Sequence, residues 1–214
     1  MLVFRSTTEG GGALGIEERR RRQRRQLRDG ILAAAREIAR AEGWPAVTIR
    51  KIAALVEYSP PVVYEHFDSK EDLLLELVRT GYAGQLGAIE KARASSDDPE
   101  QALLEMSRAW CRFAFEAPDL YQAMYGLGGV SFPVAELRKE GEKIAEAMAG
   151  TLAEALAKYG KEEEGVWEKV TIAWGTLHGL VALAMAGRLP GGEGEAERLA
   201  ERAVRGHLRA WLDG

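Results

Sequence analysis

The sequence predicts an all-α protein, and three observations carry that prediction. Nearly every apolar segment repeats at steps of three and four residues, the spacing of one helical face. No stretch alternates apolar and polar residues over the length of a strand, and no unit recurs at a fixed period. The breaks between segments carry helix signals: Ser69-x-x-Asp72 and Asp98-Pro99 stand before two runs, and Gly43 and Gly160 follow two others.

Taken in order, residues 1–18, rich in small and polar residues, read as a disordered leader. Leu27, Ile31, Ala34, Ile38 and Ala41 then mark a helix that Gly43 stops. The next segment reads VTIRKIAALVEYSPPVVYEHFDSKEDLLLELV. Thr48 is placed to cap a two-turn helix with Ile52 and Leu55 inward and Ala53 permitting a close crossing. Glu57 and Tyr58 fill a turn. Ser59 is placed to cap a second short helix with Pro60 in its first turn, where a missing N–H costs nothing. Val63 and Phe67, four apart, face inward, and Ser69-x-x-Asp72 opens a third helix through Leu73, Leu74, Leu77 and Val78. Two short helices joined by a tight turn and packed on longer ones make a helix-turn-helix, placed in an N-terminal domain over 19–80.

Residues 81–214 read as a second, helical domain. Asp98, Pro99 and Gln101 supply an N-cap, a first-turn proline and a capping-box partner, and Leu103, Met106, Trp110 and Phe113 follow on one face. A short helix covers Pro118 to Gly126 and ends in the loop GLGGVSF. Pro133 opens a long helix with Leu137, Ile144, Met148, Leu152 and Leu156 inward, and residues 164–187 form the most apolar one. After RLPGGEGE a last helix runs over 195–212, with Leu199, Leu208 and Trp211 inward.

Composition bounds the function. With 46% hydrophobic and 29% charged residues the chain has the makings of a packed core. No apolar run reaches the ~18 residues of a membrane span, and one cysteine, Cys111, fits a reducing cytoplasm. The three histidines, His66, His178 and His207, are far apart, so no metal-ligand spacing exists. No nucleophile elbow, phosphate loop or dinucleotide fingerprint occurs, so neither a cofactor nor an enzymatic activity is expected. The net charge of −4 divides unevenly, +2 over residues 1–80 and −6 over 81–214. Within the first part, RRRRQRRQLR (Arg19 to Arg28) holds seven arginines and no acid. Such a run suits a local polyanion contact or an exposed basic helix face.

Leu27 to Val78 resembles the DNA-binding domain of the TetR/AcrR family of transcriptional regulators. The matching elements are R-x-x-I-L-x-A-A (Arg28 to Ala35), Glu42-Gly43, T-I-R-K-I-A (Thr48 to Ala53), V-Y-E-H-F (Val63 to Phe67) and S-K-E-D-L-L (Ser69 to Leu74). The chain departs at the turn, usually Gly-Val-Ser and here Glu57-Tyr58-Ser59, which implies a cost of about 1 kcal/mol if Glu57 takes a positive φ. The resemblance implies a homodimer on a palindromic double-stranded DNA operator, released by a small-molecule effector and acting as a repressor. Thr48 and Arg50 would reach phosphates. Ser59 and Pro60 would open the recognition helix, with Pro61 and Val62 against base edges, where only apolar contact with thymine methyls is open to them. Tyr64, His66 and Lys70 would hold phosphate. Glu65 could accept from a cytosine amino group or stand in solvent. Arg21, Arg22, Arg24 and Arg25 would form a basic arm on phosphates or in the minor groove.

The second domain resembles a subtype marked by W-x-x-x-H-G, here Trp174, His178 and Gly179. That resemblance implies a ligand pocket, with Trp174 as a wall and His178 as its polar handle; the other reading is a buried histidine and a glycine that lets helices pack closely. Trp110, Phe113, Tyr121, Met124 and Tyr125 are further pocket candidates, unless they are solid core. The scarcity of basic residues near them favours an apolar or neutral effector. Val170, Leu177, Val181, Leu199, Leu208 and Trp211 are candidates for a four-helix dimer interface, unless they are buried internally. A helical ligand carrier or enzyme without specific DNA binding is the competing expectation.

Overall fold

A computed structural model describes residues 10–127, 129, 134–161 and 165–213. Among them it contains nine α-helices and no strand, in two compact units that divide between Leu73 and Leu74.

The first unit holds α1 (Gly10–Glu42), a 3-10 turn (Trp44–Ala46), α2 (Ile49–Leu55), α3 (Pro60–Tyr64) and the start of α4 (Lys70–Arg93). Ile31, Ala35, Val47, Ile52, Val63, Phe67 and Leu73 are buried and make its core. Trp44, in the 3-10 turn, joins them. Helix α1 starts earlier than expected, so residues 10–18 are helical rather than a disordered leader; residues 1–9 lie outside the described residues. Ala13, Leu14, Glu17, Glu18 and the arginines are strong helix formers, and extending an existing helix needs no new nucleus. Leu55 is a second difference. It is 44% exposed, because α2 ends there and only Ile49, Ile52 and Ala53 face the core.

The expected caps are largely in place. Thr48 Oγ1 accepts from the Lys51 N–H at 3.2 Å. Ser69 Oγ accepts from the Asp72 N–H at 3.0 Å, and the Asp72 carboxylate accepts from the Asp68 N–H at 3.2 Å. Ser59 is the exception, since it makes no side-chain cap. The next two residues are prolines without N–H groups, and the Val62 N–H is already bonded to the Ser59 carbonyl at 3.0 Å.

The second unit holds the rest of α4, α5 (Pro99–Glu116), α6 (Pro118–Met124), α7 (Val134–Ala157), α8 (Val166–Met185) and α9 (Gly192–Asp213). Pro133 and most of the loop before it lie outside the described residues. Helix α5 packs against α6, α7, α8 and α9, and its Ala102, Met106, Cys111 and Ala114 are fully buried. Asp98 caps it by accepting from the Gln101 N–H at 3.4 Å, but the Gln101 side chain turns to Glu105, at 2.9 Å, instead of closing the capping box. Helix α6 meets α4 at Gly81: a Cβ there would stand 2.6 Å from Met124 Sδ, so a larger residue would force the Met124 side chain to move. Arg108 of α5 pairs with Glu201 of α9 at 2.9 Å, a part-exposed pair worth about 1 kcal/mol at most.

Candidate functional sites

In the first unit, the local chemistry of residues 53–67 sets a short helix on an exposed edge. Helix α2 ends in a reciprocal pair of turns: the Tyr58 N–H donates to the Ala53 carbonyl at 2.9 Å and the Glu57 N–H to the Ala54 carbonyl at 3.3 Å. That closure requires a left-handed residue, normally glycine, and here Glu57 takes it with φ of 60°. Glu57 is the one non-glycine with positive φ among the described residues. Chain reversal then delivers Pro60 into α3. Val63 and Phe67 are 0% and 1% exposed and fix the helix from behind, while Ser59, Pro60, Pro61 and Tyr64 are exposed. Val62, His66 and Lys70 are half-buried at its flanks, and Thr48 and Arg50 are exposed at the start of α2. All nine predicted contact residues thus have surface to offer.

Arg21, Arg22, Arg24 and Arg25 are exposed on α1. Arg24 is also engaged locally, its Nη2 donating to the Glu65 carbonyl at 3.1 Å, which ties α1 to the end of α3. The Arg28 guanidinium lies 4.7 Å above the Phe67 ring. Burial, with Arg24 adding to it, lowers the His66 pKa below its ordinary value, and neighbouring Glu65 opposes the shift.

In the second unit, five helices line a partly open cavity of about 890 Å³, within the range of small-molecule sites. Tyr82 comes from α4, Trp110 from α5, Met124 and the adjacent Tyr125 from the end of α6, Ile144 and Met148 from α7, and Trp174 and His178 from α8. Among the described residues Glu142 is the one charged residue of this lining. Of the predicted pocket residues, Trp110, Met124, Tyr125, Trp174 and His178 line it. Phe113 does not; it is half-buried and its ring edge meets α4 at Gly84. Tyr121 stands behind the wall, fully buried. There the Trp110 indole N–H donates to the Tyr121 hydroxyl at 3.2 Å, and that hydroxyl lies 3.0 Å from His178 Nδ1. Tyr125 donates to Gln85 Oε1 at 2.8 Å and Tyr82 to the Met124 carbonyl at 3.2 Å, which orients both rings. Burial pushes the Tyr82, Tyr121 and Tyr125 hydroxyls up and the His178 imidazole down, so all four groups are neutral near pH 7.

Four predicted dimer contacts are corrected. Val170 and Leu177 are buried in the cavity wall, and Val181 and Leu208 are buried elsewhere in the same chain, so none of them offers surface to a second copy. Leu199 and Trp211 are half-buried. The outer face of α8 is instead formed by Ile172, Gly175, Gly179 and Leu183, at helical spacing. A Cβ at Gly175 or Gly179 would meet nothing within 4 Å, so these glycines do not serve packing inside the chain. Sequence reading missed this face because two of its four residues carry no side chain to register as apolar. Cys111 is buried, its thiol pushed up to about 12, and serves as core. No cluster of His, Cys, Asp or Glu fit to hold a metal ion occurs among the described residues, and none of their helices is long and apolar enough to cross a membrane.

The described residues thus form a helix-turn-helix unit and a second, helical unit that holds a partly open cavity. Residues 31–77 match the family model of bacterial regulatory proteins of the tetR family, and residues 103–207 match the tetracyclin repressor-like C-terminal domain. The chain is 28% identical over 163 residues to the HTH-type transcriptional regulator Rv0681 of Mycobacterium tuberculosis, covering 75% of this chain and 71% of that one. It is 36% identical over 87 residues to the HTH-type transcriptional repressor NicS of Pseudomonas putida, 41% of each chain. The fold is shared with the TetR family regulator PfmR of Thermus thermophilus, with a TM-score of 0.66 at 24% identity over 84% of this chain and 97% of that one. The chain belongs to the TetR family of transcriptional regulators, and its first unit is a helix-turn-helix DNA-binding domain. The family's members are regulators, not enzymes.

Proposed function

We propose that the chain is a repressor that binds a palindromic operator as a homodimer and is released by a small neutral effector. The observation that carries this reading is the division of α3: Val63 and Phe67 are sealed into the core while Pro61 and Tyr64 stand outside it. Pro61 and Val62 then meet base edges through carbon alone, and Thr48, Arg50, Tyr64, His66 and Lys70 hold phosphates. The exposed tip has no strong base-edge donor, so affinity comes largely from the backbone and the shape of the duplex. Arg21, Arg22 and Arg25 add a phosphate-tracking arm. The uncovered face of α8, with the half-buried Leu199 and Trp211 of α9, supports pairing with a second copy, and the two open glycines let the helices approach closely. The cavity supports a ligand, whose preference for one spacing of the two heads changes DNA affinity by about 1–3 kcal/mol. This reading places the protein in the cytoplasm, with its DNA.

Selection of bound duplexes from a random pool tests the proposal. The expected result is a palindrome whose half-sites lie about 34–36 Å apart, one helical turn. Recovery of no common sequence, or of a single half-site, contradicts it.

A further inference from the structure

We infer that the cavity takes an uncharged, largely aromatic molecule with a carbonyl-type oxygen, and that His178 Nε2–H is the group that binds this oxygen. The inference rests on the proposed effector role of the cavity and names the chemistry of its ligand. Its physical basis is the proton order in the chain Trp110, Tyr121, His178. An indole N–H only donates, so the Tyr121 oxygen accepts from Trp110 at 3.2 Å. The single Tyr121 proton then needs an acceptor, and His178 Nδ1 stands 3.0 Å away. Were Nδ1 protonated, it and the indole would both donate to the tyrosine oxygen, and the Tyr121 proton would be buried without a partner. Nδ1 is therefore the acceptor, and the neutral ring carries its proton on Nε2. The structure gives Nε2 no partner among the described residues, and His178 lines the cavity.

The remaining walls define the rest of the ligand. Tyr82, Trp110, Tyr125 and Trp174 present ring faces and edges suited to a flat apolar body. Among the described residues no Lys or Arg lines the cavity, so a carboxylate finds no counter-charge there. Burial keeps His178 neutral, which removes the other source of positive charge.

Calorimetric titration of the full-length protein with three naphthalenes tests this. 2-Acetylnaphthalene is expected to bind about tenfold more tightly than 2-ethylnaphthalene, which has the same shape without the oxygen, and 2-naphthoate more weakly than the ketone. In His178→Phe the ketone preference is expected to vanish while 2-ethylnaphthalene binding persists. Equal binding of the first two compounds, tightest binding of the naphthoate, or a ketone preference surviving in H178F overturns the inference, as does failure of all three to bind. Should H178F not fold, a long-range proton–nitrogen correlation spectrum of the unsubstituted protein reads the tautomer directly. A proton on Nε2 is expected, and one on Nδ1 overturns the assignment. None of these measurements involves DNA. A naphthalene that binds through His178 yet leaves operator affinity unchanged would count against the effector role alone.

Discussion

Glu57 is the residue at which this chain accepts strain. Its φ of 60° lies where a side chain crowds the following carbonyl, at about 1–2 kcal/mol for any L-residue but glycine. The turn nevertheless forms, because it satisfies two carbonyls at the end of α2 and sets the entry of α3. Glu57→Gly relieves the crowding but loosens the unfolded chain, so the expected net gain is about 0.5 kcal/mol. Chemical denaturation measures it as a higher midpoint with an unchanged slope, and Glu57→Ala is expected to give no such gain. A lower midpoint for the glycine variant would mean that the glutamate side chain contributes something its exposed position does not reveal. The possible cost at this turn was visible in the sequence, because a departure from Gly-Val-Ser bears on a single backbone angle.

At the scale of elements, α1 and α8 show what a sequence discloses and what it withholds. Caps are local, so Thr48, Ser69 and Asp98 could be read directly, and spacing alone placed Val63 and Phe67 behind α3. Ser59 failed as a cap because Pro61 removed a donor two residues on, a coupling the cap pattern does not encode. The cavity was half legible. Aromatics such as Trp110 and Tyr125 announced themselves, but Tyr82, Ile144 and Met148 reach it from helices distant in sequence, and only packing brings them together. Val170, Leu177 and Val181 were apolar enough for either an internal or an external face, and which neighbour covers them is a tertiary fact. The arginines of α1 allow a test at this scale. With Arg24 left in place to hold Glu65, Arg21, Arg22 and Arg25 changed together to Gln are expected to flatten the salt dependence of DNA binding. If each touches one phosphate, the slope of log affinity against log salt becomes less negative by about 2–3. An unchanged slope would make the run a solvated helix face.

For the whole molecule, pH separates folding from DNA binding. Both His66 and His178 are lowered by burial, so folding favours their neutral forms. Their contribution to stability is fully present above the unfolded value of about 6.5 and is lost as pH falls through the lower folded values. In the proposed complex, phosphate contact acts on His66 in the opposite sense: a phosphate near the ring favours the imidazolium, so DNA binding would take up a proton. Operator affinity at fixed salt is therefore expected to rise as pH falls from about 7 to 5.5, while the melting temperature declines. His66→Gln should remove most of the rise in affinity. An affinity independent of pH in the unsubstituted protein would place His66 away from the phosphates.

The paired prolines at the start of α3 have one more consequence. With no N–H at either position, the tip of that helix has little to donate to a nucleobase and meets it through ring carbons. In the proposed complex what such a tip would sense in the major groove is a methyl group, and 5-methylcytosine carries one at the same ring position as thymine. Epigenetic marking of a cytosine beneath Pro61 would leave this head in place or hold it more firmly, where a head reading through polar side chains would lose its grip.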